Sequence, residues 1–407
     1  MVDLVNFIKY NQDLKVPHAV IALLIDYKSA FNRVNHNIVV NILSELGTPG
    51  WLLRIVVGFL SERELIVKYN GLQSEKMLLP GSCPQGTLLG LFLFLVLINA
   101  AGSGYLQQHI GNFITQSLNK RKPMKDITLK YVDDMTQAFA VNVREVTTVD
   151  PNPVRPLSYH ERTGHIQDVN TILPAQQELE KAVEYCKINE MMINFPKTNV
   201  MFFNSSRKVD FLPRLQVGVD NYLEVVPKQK LLGVIIQDDL RWNSNTQNLC
   251  KNGFQKLRMI RRLKNLGAKE EELLDVYVKQ IRSCLEMAVP VWEPGLTKLE
   301  RKQLERVQKS AFSIILGINY RSYEDALVLL NMDSLSSRRK SICLKFAKKA
   351  LKNPKYTNWF KPNVNNGPDT RSEKNVLLPV STRTKRFDHS PLPFLTNLLN
   401  QELKTYC

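Results

Sequence analysis

Cysteine and histidine are scarce, with six of each in 407 residues. The cysteines fall at 83, 186, 250, 284, 343 and 407, no two of them in a Cys-x-x-Cys pair, and the histidines add no ligand spacing. That pattern excludes a zinc knuckle and a disulfide framework, and it predicts reduced, intracellular thiols. Long apolar runs are also missing. Leu88 to Ala101, interrupted by Asn99, falls short of the roughly 20 residues that span a bilayer, so it predicts a core helix rather than a membrane segment. No secretory signal and no internal repeat is visible. Acidic residues are in deficit, 38 against 55 Lys and Arg, for a formal net charge of +17. The deficit lies in one half: residues 251–407 hold 30 basic and 15 acidic side chains, and residues 1–250 hold 25 and 23. A near-neutral first half and a basic second half fit a chain whose later helices grip a polyanion. A hydrophobic content of 44% excludes disorder, and the length suffices for one large domain or two to three ordinary ones.

What is present is a set of carboxylates at strand ends. Val20 to Ile25 is a continuous apolar run that reads as a strand buried on both faces, and it delivers Asp26 at its end. Ile127 to Val141 reads as strand, turn, strand, with Asp133-Asp134 at the turn. Adjacent like charges repel, and a divalent cation relieves that repulsion. Between the two segments lies Leu79-Pro80-Gly81-Ser82-Cys83-Pro84-Gln85-Gly86-Thr87, a Gly/Pro loop whose backbone can approach a ligand closely. Taken alone, Asp-Asp is a common hairpin turn, Phe31 is an ordinary core aromatic, and a basic stretch is a solvated face.

Taken together and in order, these segments resemble the reverse transcriptase domain of non-long-terminal-repeat (LINE-like) retrotransposons. That family's first motif is matched by Leu24-Ile25-Asp26-Tyr27-Lys28-Ser29-Ala30-Phe31-Asn32. Its Gly-x-Pro-Gln-Gly-Ser/Thr motif is matched, with one extra residue, by Gly81 to Thr87. Its aromatic-x-Asp-Asp motif is Tyr131 to Asp134, its Asn-x-x-Lys-Thr motif is Asn194 to Thr198, and its Leu-Gly-Val/Ile motif is Leu232-Gly233-Val234, with Trp242 shortly after. Pro290-Val291-Trp292 and Leu304 to Gln308 extend the likeness to about residue 360. The resemblance implies an α+β fold: a polymerase-type palm, an antiparallel sheet backed by helices, followed by a helical thumb and a helical basic domain. The implied boundaries are 1–240 for the palm with a remnant of fingers, 241–270 for the thumb, 271–355 for the post-thumb basic domain, and 356–407 for a linker or loosely ordered tail.

The implied activity is RNA-directed DNA synthesis. Asp26, Asp133 and Asp134 are expected to hold two Mg²⁺ ions, or Mn²⁺, about 3.5–4 Å apart. Phe31 is expected under the incoming sugar, where a bulky ring rejects a 2′-hydroxyl, which disfavours RNA synthesis. Gln85 and Gly86 are expected in the nucleotide pocket. Lys197 is expected near the triphosphate, as a charge partner or proton donor. The implied partners are an RNA template, a DNA primer and deoxynucleoside triphosphates, with no membrane, and the implied compartment is the nucleus; Lys120 to Lys122 and Arg338 to Lys340 are candidate nuclear signals. The chain also departs from the family. Asn32 stands for a second acid, Leu91 for a Pro and Ala100 for an acid, and only Lys9 and Lys15 are basic before Asp26. A fingers region is expected upstream of such a domain, so residues 1–407 alone are expected to extend a primer feebly or not at all. The alternative is a catalytically inactive nucleic-acid-binding relic of the same fold.

The basic half carries helical patterns. Leu249 to Leu266 places Phe254, Leu257, Ile260 and Leu263 on one apolar side and Lys256, Arg258, Arg261, Arg262 and Lys264 elsewhere, with Gly267 as a stop. In the family's terms this is a thumb helix on the primer–template duplex. Lys269 to Ala288, Thr297 to Leu316 and Leu335 to Lys352 are further helices, the second opening on a Thr297/Glu300 capping box. Ala175 to Cys186 also has helical spacing. Residues 102–125 and 142–172 read as insertions.

Overall fold

The computed structural model describes residues 1–79, 81–84, 86–100, 123–131, 134–142, 169–205, 215–218, 221–356, 359–363 and 376–404. Its main elements in chain order begin with α1 (Val2–Asp13), β1 (His18–Ile25), α2 (His36–Glu45), α3 (Gly50–Leu60) and α4 (Leu88–Ala100). Next come β2 (Asp126–Tyr131), β3 (Asp134–Asn142), α5 (Val169–Ile188), β4 (Asn199–Phe203), β5 (Glu224–Val225) and the hairpin β6 (Lys228–Leu231) and β7 (Val234–Gln237). Helices α6 (Asn243–Asn265), α7 (Glu270–Val276), α8 (Lys298–Leu316), α9 (Leu335–Lys352) and α10 (Pro391–Lys404) complete it. The architecture is α+β, a five-stranded sheet in the order β5-β4-β1-β3-β2. All neighbours are antiparallel except β4 and β5.

β1 is central and buried on both faces, which explains its uninterrupted apolar sequence. Because side chains alternate along a strand, its residues divide between two cores. Ala19, Ile21, Leu23 and Ile25 join residues of α2, α4 and α5 on one face. Val20, Ala22 and Leu24 join α1 and the carboxy-terminal helices on the other. Helix α4 is narrower in its burial than its composition suggests. Leu93, Phe94, Leu97 and Ile98 are buried, while Leu88, Leu91 and Phe92 face outward.

Helix α1 joins the sheet to the far end of the chain. All of it except Gln12 is buried, and several of its polar side chains find distant partners, although Asp3 Oδ1 and Asn6 Nδ2 have no hydrogen-bond partner. Asn11 accepts from the backbone N–H of Met124 (3.1 Å) and Asn6 from that of Leu392 (3.1 Å). Asp13 accepts from the N–H groups of Arg383 (2.9 Å) and Thr384 (2.8 Å) and from the Thr384 hydroxyl (2.6 Å). For residues 376–404 these contacts correct the reading of a loosely ordered tail; residues 364–375 and 405–407 lie outside the described residues. Helix α10 buries Leu392, Leu395 and Leu399 against the same core. The Pro and Asn around it disguised the helix in the sequence, although Pro is tolerated in a helix's first turn.

Lys9 is likewise no surface base; it is 7% exposed, with its ammonium 3.5 Å from the Arg386 carbonyl. Burial, reinforced by the Arg386 charge, pushes its pKa down to about 8. Between about pH 8 and 10.5 the unfolded chain binds more protons than the folded one. Stability therefore rises with pH across that window and carries the full penalty below it. Lys9→Met is expected to raise stability at pH 7 by on the order of 1–3 kcal/mol and to flatten that slope. Urea unfolding at pH 7, 8.5 and 10 checks it; an unchanged slope refutes it.

In the helical half, α6 packs along α8 and lies so close that a Cβ on Gly253 would fall 2.7 Å from Val307 Cγ1. Gly253, Leu257 and Ile260 face this contact, and Phe254 does not; it is 40% exposed, contrary to its place in the expected apolar stripe. The Thr297/Glu300 capping box forms as expected. The helix expected over 269–288 changes character inside, α7 passing into a π-helical turn at Tyr277–Arg282, and it ends where Ala288 turns left-handed at φ +53°. A buried charge network ties α8, α9 and the segment that precedes α8. Arg339, 1% exposed, donates to Glu293 (2.7 Å), and Arg301 donates to the other Glu293 oxygen (2.9 Å). Arg338 pairs with Glu286. Two of the three residues of the Arg338 to Lys340 run are thus internal ion-pair partners, which removes it as an exposed nuclear signal. Among the described residues no helix is long and apolar enough to cross a membrane.

Candidate active site

Asp26 directly follows the last β1 residue and is half-buried. The turn at Asn194 to Thr198 closes onto it. Asn194 donates from its side-chain amide to Asp26 Oδ2 (2.8 Å) and from its backbone N–H to the Asp26 carbonyl (2.8 Å). The Asp26 N–H in turn donates to the hydroxyl of buried Thr198 (3.2 Å). The next residue, Tyr27, bridges to Ile193, and its hydroxyl donates to Met135 Sδ (3.6 Å). Burial pushes the Tyr27 phenol above its ordinary range, so it stays neutral. Carboxylate, backbone and following residue are all held, leaving Oδ1 without a protein donor among the described residues. Lys197 stands exposed at the end of the 3₁₀ turn Phe195–Lys197.

The strand register brings the second acidic segment to the same edge. β1 pairs with β3 from His18 opposite Asn142 to Ile25 opposite Met135. The pairing ends one residue short of Asp26 and of Asp134, the first residue of β3, so both lie at the same end of the two paired strands. β2 and β3 close on the pair Tyr131 and Asp134. Asp133 and the Asp134 side chain lie outside the described residues, as does Gln85. Among the described residues no three His, Cys, Asp or Glu side chains gather as a metal cluster.

The Gly/Pro loop is tied to the turn after Asp26. The Ser82 N–H donates to the Val34 carbonyl (2.9 Å) and the Cys83 N–H to the Phe31 carbonyl (2.8 Å). His36 Nε2 lies 2.8 Å from the Ser82 carbonyl, and Arg63 donates to that carbonyl (3.0 Å) and to the Ser82 hydroxyl (3.2 Å). Thr87 caps the start of α4 by accepting from the Gly90 N–H (3.1 Å). A Cβ on Gly90 would meet the Pro84 carbonyl oxygen at 2.1 Å, so only glycine fits there. Gly86 is exposed at φ +81°. Phe31, half-buried, stacks on Phe94 of α4 with centroids 4.2 Å apart. Its ring is thereby fixed in orientation beside the Asp26 turn.

The Leu-Gly-Val motif forms the β6–β7 turn, with Leu232 and Gly233 both left-handed at φ +47° and +83°. Such a turn demands positive φ at both central residues, and a Cβ on Gly233 would also strike Met287 Cε at 2.6 Å. On α6 the five basic residues separate by role. Arg258, Arg261 and Arg262 are exposed. Lys264 instead donates to the carbonyls of Ile314 (2.5 Å) and Ile315 (2.9 Å), capping the carboxy-terminal end of α8. Lys256 donates to the Gln280 carbonyl (2.8 Å) and approaches Cys284 Sγ at 2.8 Å. Both lysines are already engaged within the chain, so only the arginines of this set are free to face a polyanion.

Asn194 and Thr198 are the residues to which sequence reasoning assigned no role, although both belong to the motif that supplied Lys197. His36 and Arg63 left no signal, because their partner is a backbone carbonyl distant in sequence.

No family model matches the chain, and no curated protein matches it in sequence. Among solved structures it is similar to apo telomerase from Candida tropicalis, at 12% identity and a TM-score of 0.37, over 77% of this chain and 45% of that one. Telomerase from Candida albicans in complex with the TWJ fragment of telomeric RNA matches at 12% identity and 0.35, over 88% and 52%. The corresponding Candida tropicalis complex matches at 11% and 0.37, over 88% and 50%. The chain spans about half the length of the telomerase chains it matches.

Proposed function

We propose that the chain is the palm and thumb part of an RNA-directed DNA polymerase of the non-long-terminal-repeat retrotransposon type. The observation that supports this best is the β1–β3 register, which ends one residue short of Asp26 and Asp134 at the same end of the two strands, while Asn194 and Thr198 clamp Asp26 from a third segment. Three segments far apart in sequence, each resembling a motif of one family, thus lie near one end of the sheet. Carboxylate oxygens are hard donors, and the set Asp26, Asp133 and Asp134 suits Mg²⁺ or Mn²⁺. When bound, the cations supply charge neutralisation at the attacking hydroxyl and the departing pyrophosphate.

The residues of the chain do the rest. Asn194 is a positioning residue: its amide occupies Oδ2 of Asp26 and leaves Oδ1 as the oxygen available to a cation. Phe31, braced by Phe94, forms the wall against a 2′-hydroxyl. Lys197, exposed beside the clamp, supplies positive charge to a triphosphate. Arg258, Arg261 and Arg262 grip the duplex backbone.

The experiment is extension of a DNA primer on RNA with Mg²⁺ and deoxynucleotides, with a fingers segment of the resembling family joined upstream of the chain. Extension that Asp133→Asn removes while duplex binding persists is the expected result. Asn194→Ala is expected to raise the Mg²⁺ concentration needed for half-maximal extension about 10–100-fold, the usual cost of losing an outer-shell partner. No extension by a folded, duplex-binding chain favours the inactive relic instead.

A further inference from the structure

We propose that the outer face of α9 is a second polyanion-binding surface, separate from α6, that holds a single nucleic-acid strand by its phosphodiester backbone. It rests on the nucleic-acid reading above. The helix Leu335–Lys352 is 18 residues long and contains no Asp or Glu. Its seven basic residues are sorted by chemistry. The two arginines, Arg338 and Arg339, turn inward to Glu286 and Glu293. The five lysines, Lys340, Lys345, Lys348, Lys349 and Lys352, are exposed.

Of the five, Lys348 pairs with Glu402 of α10, whereas Lys340, Lys345, Lys349 and Lys352 make no ion pair with a described residue. Lys345, Lys349 and Lys352 fall at i, i+4 and i+7 and so share one face, a row of about 10 Å at 1.5 Å per residue. One and two turns before Lys345 that face continues with small exposed Ser341 and Ser337, so nothing bulky blocks a backbone lying along it. Lysine is a compact point charge on a flexible stem, suited to phosphates in no fixed register; the forked arginines are spent on internal geometry. That division favours sequence-independent backbone contact.

A membrane surface fits less well. An interfacial helix inserts apolar side chains beside its basic ones, whereas on α9 Leu335, Cys343, Ala347 and Ala350 are buried in the core and no large apolar side chain is exposed. The surface is also distinct from the α6 arginines, since α8 packs between the two helices.

The test uses the full chain and the variants Lys345→Gln/Lys349→Gln/Lys352→Gln and Arg258→Gln/Arg261→Gln/Arg262→Gln. Binding is measured by fluorescence anisotropy on an unstructured 30-nucleotide RNA, the same DNA sequence, and a primer–template duplex, over 50–300 mM salt. Co-sedimentation with phosphatidylserine vesicles is the fourth arm. The lysine variant is expected to lose on the order of 100-fold in single-strand affinity at 0.1 M salt and about 2 from the salt slope, at roughly 0.7 per lost contact. Loss on RNA alone assigns the strand to RNA; equal loss on DNA leaves a backbone reader of either sugar. Duplex binding is expected to stay within about twofold in the lysine variant and to fall in the arginine variant. Unchanged single-strand affinity and slope overturn the proposal, as does a loss confined to vesicles. A parent chain that binds no duplex, with single-strand binding still lost in the lysine variant, overturns the polymerase reading and leaves this surface standing.

Discussion

Glu293→Ala is expected to lower folding stability by about 3–5 kcal/mol, the cost of leaving a buried charge without its partner. The Glu293 side chain is 3% exposed and receives two arginines, Arg339 at 1% exposure and Arg301 at 33%. Arg301 can swing to solvent. Arg339 cannot, and its other acid, Glu305, lies 3.9 Å away with its oxygens already receiving the Tyr323 hydroxyl (2.6 Å) and the Ser336 N–H (2.5 Å). Arg339 Nη2 has no hydrogen-bond partner even with Glu293 present, so the site has no spare acceptor to offer. Replacing both charges, Glu293→Met with Arg339→Met, is expected to recover most of the loss, because the desolvation cost disappears along with the attraction. Urea unfolding of the two variants beside the parent measures it. A single-variant loss under about 1 kcal/mol, the level of an exposed pair, would show that water reaches this network.

The network also explains why one stretch of sequence misleads. Arg338 to Lys340 reads as a solvated basic run because charge is counted along the chain, whereas the helix turns successive residues through about 100°. Arg339 is buried, Arg338 turns half-buried to Glu286, and Lys340 points out. Lys264 misleads for a related reason: it sits in an arginine-rich stretch of α6, yet its ammonium fills carbonyls at the end of a helix some 50 residues away. Phe254 fails the periodicity argument because the close approach of α6 and α8 is made at Gly253, a residue that carries no hydrophobic signal.

Much else was legible, for identifiable reasons. β1 was readable because a strand buried on both faces must be apolar throughout, and Asp26 is the residue at which that requirement stops. The β2–β3 hairpin was readable from apolar flanks around two acids. The loop before α4 was readable as a loop, but not its anchoring, since His36 and Arg63 bind a carbonyl that any residue would present. Helix α10 was missed because Pro391 and Pro393 look like breakers when their place in the first turn is not known. The role of α1 was missed because Asp3, Lys9, Asn11 and Asp13 look like a solvated face, and their burial depends on partners as distant as residue 384.

Asp26→Asn is the second large effect. Asparagine keeps the size of the side chain and can still meet the Asn194 amide through its carbonyl oxygen, so the fold is expected to survive with a change under about 1 kcal/mol. The charge, however, is gone from the residue that follows the last β1–β3 pair, Ile25 opposite Met135. Loss of a direct carboxylate ligand is expected to cost more than the 10–100-fold that an outer-shell change costs. Asp133→Asn is expected to do the same, and Asn194→Ala to fall within the outer-shell range.

The central claim is that Asp26, Asp133 and Asp134 form one divalent-cation site. Electron paramagnetic resonance of Mn²⁺ titrated into the folded chain tests it most directly, because bound and free Mn²⁺ are read separately and no turnover is needed. The account predicts saturable binding by the parent chain, a more than about 100-fold weaker constant in Asp26→Asn and in Asp133→Asn, and unchanged melting of both variants. Mn²⁺ binding that is equal in the parent and both variants would contradict it.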